Sequence, residues 1–322
     1  MWKALIRRFI IFIPQIIGVT LLIFILAEFM PGDALSGLFM DPFLDPETIE
    51  AMRDLHGLND PWYVRYTRWV GNMIQGDFGN SLVWHRPVTD VIGERIGNTV
   101  FLSVVSVMIV YSFAIPLGII AGRFKGKLPE KVISFYNFLQ LAFPTVVFAI
   151  ILQWSLAIVL QVFPLRGSVD VGVVGGPFWE VFLSRLHHAM LPALSMSLLA
   201  GVGVIQFLSN EINDQKNLDY ALTARSKGVP LNQVYTRHVF RNSLLPIAAT
   251  SGSIIVGLFS GAIIIENMFT FHGMGQLFVS SIGLRDWPVV NFLVVFYSSL
   301  TMIGFLLSDI ALTIFDPRIR IK

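Results

Sequence analysis

Apolar residues run in long blocks along this chain, and polar residues gather in the intervals between them. Six blocks are long enough to cross a bilayer as helices: Phe9–Phe29, Val100–Ala121, Val132–Phe163, Met190–Leu208, Pro246–Met268 and Val289–Phe315. A crossing helix needs about twenty mostly apolar residues. The third block exceeds that length and carries Pro144, so a kink or steep tilt is expected there, and Pro116 predicts a kink in the second. The pattern therefore predicts an all-α polytopic membrane protein with six transmembrane helices.

The longest polar interval, Pro31 to Asn98, predicts a small helical subdomain between the first two spans. Asp45-Pro46-Glu47 supplies an N-cap, a helix-compatible proline and an early acid, and Gly57 stops that helix. Asp60-Pro61 repeats the start signal. Trp62, Tyr66, Trp69, Val70 and Met73 then share one helical face. That stripe suits packing on the bundle, a place among lipid headgroups, or a docking surface for an external solute-binding protein. The chain thus divides into 1–30 (N-terminus and first span), 31–99 (external subdomain) and 100–322 (remaining spans, with a polar loop at 209–245).

Composition strengthens the membrane reading. Charged residues make up 14% of the chain, hydrophobic ones 54%, and mean hydropathy is +0.69; soluble domains carry about 25% charged residues. The absence of cysteine excludes disulfides, thiolate metal sites and a cysteine nucleophile. Lys3, Arg7 and Arg8 precede an apolar run longer than the roughly 7–15 residues of a signal peptide, with no small-residue cleavage site, which predicts a retained first helix. With the N-terminus inside, inner segments hold 15 of the 23 Lys and Arg residues, led by Arg123, Lys125, Lys127 and Lys131. Both termini are therefore expected in the cytoplasm.

The loop from Asp219 to Pro246 is the most informative polar segment. Asp219 is expected to cap a helix reaching about Lys227, Gly228 to supply the turn, and Pro230 to restart a helix with Val234, Val239 and Phe240 along one stripe. Arg237, His238 and Arg241 lie near that stripe. Ala224, Gly228, Leu245 and Pro246 match the Glu-Ala-Ala…Gly…Leu-Pro pattern of membrane subunits in binding-protein-dependent ABC importers, although Leu222 and Thr223 fill its first two positions. The longer form Asp-Tyr-x-x-Thr-Ala-Arg-x-Lys-Gly resembles the dipeptide, oligopeptide and nickel branch. Further matches follow in order: the first helix with Pro31-Gly32-Asp33; Gly76 to Ser81; His188 to Leu194; Glu266 to Val290, with His272 where proline is usual; and Asp316 to Arg320.

The resemblance implies a permease subunit that works with a second homologous permease subunit, two ABC ATPase subunits and an external solute-binding protein in a bacterial cell membrane. It implies peptides as substrate, with nickel chelates or oligosaccharides as alternatives. Asp219, Ala221, Ala224, Arg225, Gly228, Leu245 and Pro246 would then form the ATPase-coupling loop, and Glu266, Gly273 and Gly275 a gate or part of the path. An ATP-independent secondary transporter is the rival reading, disfavoured because polar residues concentrate in one loop.

No cofactor, nucleic-acid partner, metal site or catalytic centre is predicted. His187 and His188 point about 100° apart on a helix, too far to share one ion. Gly122 to Lys127 is shorter than a phosphate-binding loop. Glu28, Glu266 and Asp309 fall within or at the ends of spans, where a charge faces protein or water; Glu266 either lines the path or caps the gate loop. Gly257 and Gly261 have the spacing of close helix packing, whereas Gly118, Gly122 and Gly126 run out into a loop.

Overall fold

A computed structural model describes residues 2–28, 50, 51, 54, 57, 59–244, 252, 256, 257, 259 and 262–315 of the 322. Among them every regular element is helical, apart from an isolated bridge between Asn80 and Pro87. In chain order these are α1 (Trp2–Glu28), α2 (Trp62–Ile74), α3 (Val88–Arg123), α4 (Leu128–Ala142), α5 (Thr145–Leu152), α6 (Phe178–Gln215), α7 (Asp219–Ser226), a mixed helix α8 (Leu231–Gln233, Val234–Val239, Phe240–Ser243), α9 (Met274–Leu284) and α10 (Trp287–Phe315). Residues 262–268 are helical as well.

Among the described residues, three helices are long and apolar enough to cross a membrane: α3, α6 and the Trp287–Ser308 part of α10. The third expected span is not one kinked helix. It splits into α4 and a second helix, Thr145–Val159, bent by 102°. Phe143 (φ −101°, ψ 129°) and Pro144 (φ −58°, ψ 138°) are both extended. Proline disfavours the helical region for the residue before it and donates no N–H, so two consecutive residues leave the helix. After Leu152 the chain widens into a π-helical turn, Gln153–Val159. Pro116, by contrast, lies inside α3 without ending it. Most of the fifth expected span, the helix start at Asp45, Pro31-Gly32-Asp33, the Asp309 side chain and the C-terminal Asp316–Arg320 lie outside the described residues.

The chain clusters into two compact units. One comprises residues 97–276 and 301–322 with the terminal Met1 and Trp2. Its core is built around Leu102, Leu191, Phe269 and Phe271, all essentially inaccessible to solvent. Helices α3 and α6 pack closely because glycine removes the side chain at their contact: a Cβ at Gly118 would lie 2.9 Å from Leu208 Cβ, and one at Gly122 2.7 Å from Ile212 Cβ. Gly122 thus belongs to a packed helix rather than to a loop, since α3 runs on to Arg123. A Cβ at Gly257 would meet nothing within 4 Å among the described residues, and Gly261 lies outside them. The hydroxyls of Ser106, Ser195 and Ser197 donate to carbonyls one turn back, which satisfies them inside apolar helices.

The other unit comprises residues 3–96 and 277–300. Here α2 lays its predicted stripe on α1. Thr20 Oγ1 and Tyr66 Oη are hydrogen-bonded at 3.0 Å, and the Phe24 ring meets Tyr66 edge-on at 5.5 Å. Trp69 lies 6.2 Å from Phe24, so Tyr66 and Trp69 of the stripe pack on α1, while Trp62 stays exposed. Gly57 adopts the positive φ (+63°) expected of a helix stop. Asp60 does not cap α2: Pro61 is the N-cap residue, and Asp60 pairs with Arg68 at 2.6 Å.

Candidate functional site

The polar loop after α6 folds as two short helices around a glycine. Helix α7 starts at Asp219, and the N-cap residue is Leu218, so Asp219 occupies the first turn and makes no side-chain cap. Its carboxylate there favours the positive end of the helix dipole. The far end closes as a Schellman motif. Val229 N–H donates to Ala224 O (3.2 Å), and Gly228 N–H donates to Arg225 O (2.9 Å). Gly228 takes φ +77°, a left-handed conformation that glycine adopts without a Cβ penalty.

Helix α7 is docked through small residues. Ala221 and Ala224 are buried in a cluster with Leu208, Ile212, Val234 and Val239. They face the chain's own core. The exposed residues are Leu218, Asp219, Leu222, Thr223, Ser226 and Lys227, with Leu218 and Leu222 each 46% accessible. Arg225 is half-buried. Leu245 and Pro246 lie outside the described residues.

The helix restarted at Pro230 departs from the expected α-helical stripe. Val234–Val239 is π-helical. Five residues subtend about 140° in an α-helix from 3.6 residues per turn, and the wider π turn reduces that angle. Val234 and Val239 can therefore both be buried, while Arg237, His238 and Arg241 stay exposed. Arg123 joins this helix to α3: its Nη1 donates to Asn232 Oδ1 at 2.9 Å, and its guanidinium lies 5.2 Å from the Tyr235 ring centre.

The expected gate residues form a second constellation. Glu266 is fully buried. It accepts from Thr99 Oγ1 (2.7 Å), Gly275 N–H (2.7 Å) and Gln276 N–H (3.2 Å), while Met274 N–H donates to Thr99 Oγ1 (2.8 Å). A carboxylate from one segment and a hydroxyl from α3 thereby satisfy the free N–H groups that open α9. A Cβ at Gly273 would overlap the Glu266 carboxyl, and one at Gly275 would overlap Cα of Ile263. The two glycines are required by that approach. Thr99, absent from the sequence-based candidates, gave no signal because one hydroxyl beside an apolar block is common.

A third constellation joins two segments singled out only by resemblance. Asp286, fully buried, accepts from the Ser81 hydroxyl, from Leu82 N–H (3.1 Å) and from Val83 N–H (3.4 Å). The adjacent histidines are satisfied separately: His187 Nε2 donates to Val162 O at 2.9 Å and His188 Nδ1 to Ser184 O at 2.8 Å. Among the described residues no group of three metal-binding side chains occurs.

These arrangements hold helix ends and loops in place. The chain is 36% identical over 317 residues to the oligopeptide transport system permease protein AppB of Bacillus subtilis (strain 168), covering 98% of each chain. It is 30% identical over 325 residues to the glutathione transport system permease protein GsiC of Escherichia coli (strain K12), covering all of both. Among solved structures, the MetNI methionine ABC transporter shares the fold with a TM-score of 0.57 at 11% identity, over 70% of this chain and 96% of that one. The family model described as the inner membrane component of binding-protein-dependent transport systems matches residues 114–321, and to that family the chain belongs.

Proposed function

We propose that this chain forms half of the translocation path of an ATP-driven peptide importer in a bacterial cell membrane. Substrate arrives from an external binding protein and crosses between this subunit and a second, homologous permease subunit. Two separate ATPase subunits supply the energy. The reading places six spans in the bilayer, residues 31–99 outside and both termini in the cytoplasm, in keeping with the distribution of basic residues. Peptide as substrate is supported by the oligopeptide and glutathione permeases that the chain resembles along its whole length.

The observation that carries the mechanism is the two-sidedness of α7. One face, Ala221 and Ala224, is buried in the cluster that holds Val234 and Val239 of α8 and Leu208 and Ile212 of α6, with α7 packed chiefly on the Val234–Val239 turn. The other presents Leu218 and Leu222 to the surroundings. A partner gripping the exposed leucines would move α8 and, through Phe240–Ser243, α6, because closely packed interiors transmit displacement rather than absorb it. Asp219 and Arg225 set the charge on either side of that contact, and the Schellman turn at Gly228 fixes the angle at which α8 returns. Glu266, Gly273 and Gly275 act as the fixed base of the loop entering α9.

The test is reconstitution. Vesicles holding both permease subunits and the ATPases should accumulate peptide only with ATP and the loaded binding protein. A cysteine at Asp54 should label from the binding-protein side, and a reporter after Lys322 should read cytoplasmic. Uptake driven by an ion gradient without ATP, or reversed labelling, would refute the assignment.

A further inference from the structure

Four cations converge where two membrane-length helices end. Arg123 closes α3, Lys125 follows it, and Lys216 comes directly after Gln215, the last residue of α6. The Lys216 ammonium donates to the Gly122 carbonyl at 3.2 Å, which joins the two helix ends. Asn232 and Tyr235 hold the Arg123 guanidinium from the other side. Arg225 adjoins Ala224, which packs in the same cluster as Ile212.

Among the described residues only Lys125 of this group has a carboxylate partner, Glu130 at 3.5 Å. Arg225 Nε is shut off from solvent with no acceptor, a costly state for a buried charged donor. Burial, then the Arg225 and Lys125 cations, push the Lys216 ammonium below its ordinary pKa, and no carboxylate opposes them. Among the described residues Arg123, Lys216 and Arg225 thus have no carboxylate partner, and Arg123 and Lys216 sit at the ends of apolar helices, the level at which lipid headgroups lie. From Leu128 onward, α4 exposes Leu128, Val132, Phe135 and Leu139 along one apolar strip, at helical spacing.

We propose that Arg123, Lys216 and Arg225 bind the phosphate of an anionic phospholipid, whose acyl chains run along the exposed strip of α4. A phosphate diester offers several acceptors to donors on three different elements, and the guanidinium fork suits it. The proposal requires only that α3 and α6 cross the bilayer, and it stands whichever face these helix ends occupy and whatever the importer carries.

Native mass spectrometry and thermal unfolding of the full-length chain in detergent test it, with dioleoyl phosphatidylglycerol, dioleoyl phosphatidylcholine and inorganic phosphate as separate additions. Phosphatidylglycerol should be retained and should raise the unfolding temperature well above the effect of phosphatidylcholine. Lys216→Gln and Arg225→Gln should each weaken retention about fivefold, as expected for one cation at a membrane surface. Lys216→Arg should keep most of it, and Arg241→Gln, an exposed cation elsewhere on the loop, should change nothing. Equal retention of both lipids, protection by inorganic phosphate as strong as by phosphatidylglycerol, or undiminished retention in both glutamine variants would each overturn the proposal. So would an Arg225→Gln variant that binds lipid normally but no longer copurifies with the ATPases, since the cation would then serve a protein carboxylate.

Discussion

The hydroxyl of Ser81 donates to the carboxylate of Asp286 across 205 positions of sequence, with both side chains buried. Leu82 and Val83 direct their N–H groups at the same carboxylate, and Asp286 is also where α10 starts, its carbonyl accepting from Val290 N–H at 3.0 Å. One acid therefore closes a loop and anchors the start of a membrane helix. Phe78 reinforces the junction by meeting Phe292 edge-on at 4.5 Å.

Ser81→Ala should lower stability by about 1.5–3 kcal/mol, the worth of a hydrogen bond to a charged group. Asp286→Ala should cost more, because three donors lose their acceptor together. Thermal unfolding in detergent measures both. A double-mutant cycle should give a coupling of about 1 kcal/mol or more; strict additivity would mean that the two side chains act separately.

At the opening of α9, Gly273→Ala should destabilise by about 1–3 kcal/mol through overpacking against the Glu266 carboxyl. Glu266→Ala removes the obstacle as well as the cap. The double variant should therefore be less damaged than the sum of the singles. Gly275→Ala should show no such rescue, because its clash is with the backbone of Ile263. Unfolding midpoints of the five proteins decide the matter.

How far the sequence revealed these sites depended on the range of the interaction. The α2 stripe and the Gly228 turn were legible because periodicity and glycine chemistry are local signals. Glu266 was visible as a misplaced charge, but its partner Thr99 was not, since 167 residues separate them. The break at Phe143 exceeded the expected kink because two adjacent residues, not Pro144 alone, adopt extended conformations. The inward placement of Ala221 and Ala224 also escaped a pattern reading: α7 spans eight residues, and two alanines do not define an apolar face. Their burial in one cluster with Ile212, Val234 and Val239 emerges only in three dimensions.

Gly228 isolates backbone strain from packing, because a Cβ there meets nothing within 4 Å. Gly228→Val should cost about 1–2 kcal/mol from the left-handed φ alone, and Gly228→Asn, which tolerates that region, should cost less. Both should insert in the membrane. Transport should fall in the order Gly, Asn, Val, read as ATP-dependent uptake by reconstituted vesicles. Equal uptake in all three would show that the angle between α7 and α8 does not matter for coupling.

The two faces of α7 should fail in different ways. Ala224→Asp places a carboxylate among the apolar side chains of Ile212, Val234 and Val239. Burying an unpaired charge is costly enough to shift protonation or unfold the segment, so abundance and unfolding temperature should both drop. Leu222→Asp puts the same charge on the exposed face, where surface substitutions stay within about 0.5 kcal/mol. That variant should accumulate and unfold normally, yet lose copurification with the ATPases and the stimulation of ATP hydrolysis by loaded binding protein. Measuring abundance, unfolding temperature and ATPase copurification for both variants separates the contact surface from its support. Normal ATPase assembly in Leu222→Asp would move the docking contact away from α7's exposed leucines, leaving this helix as packing for α6 alone.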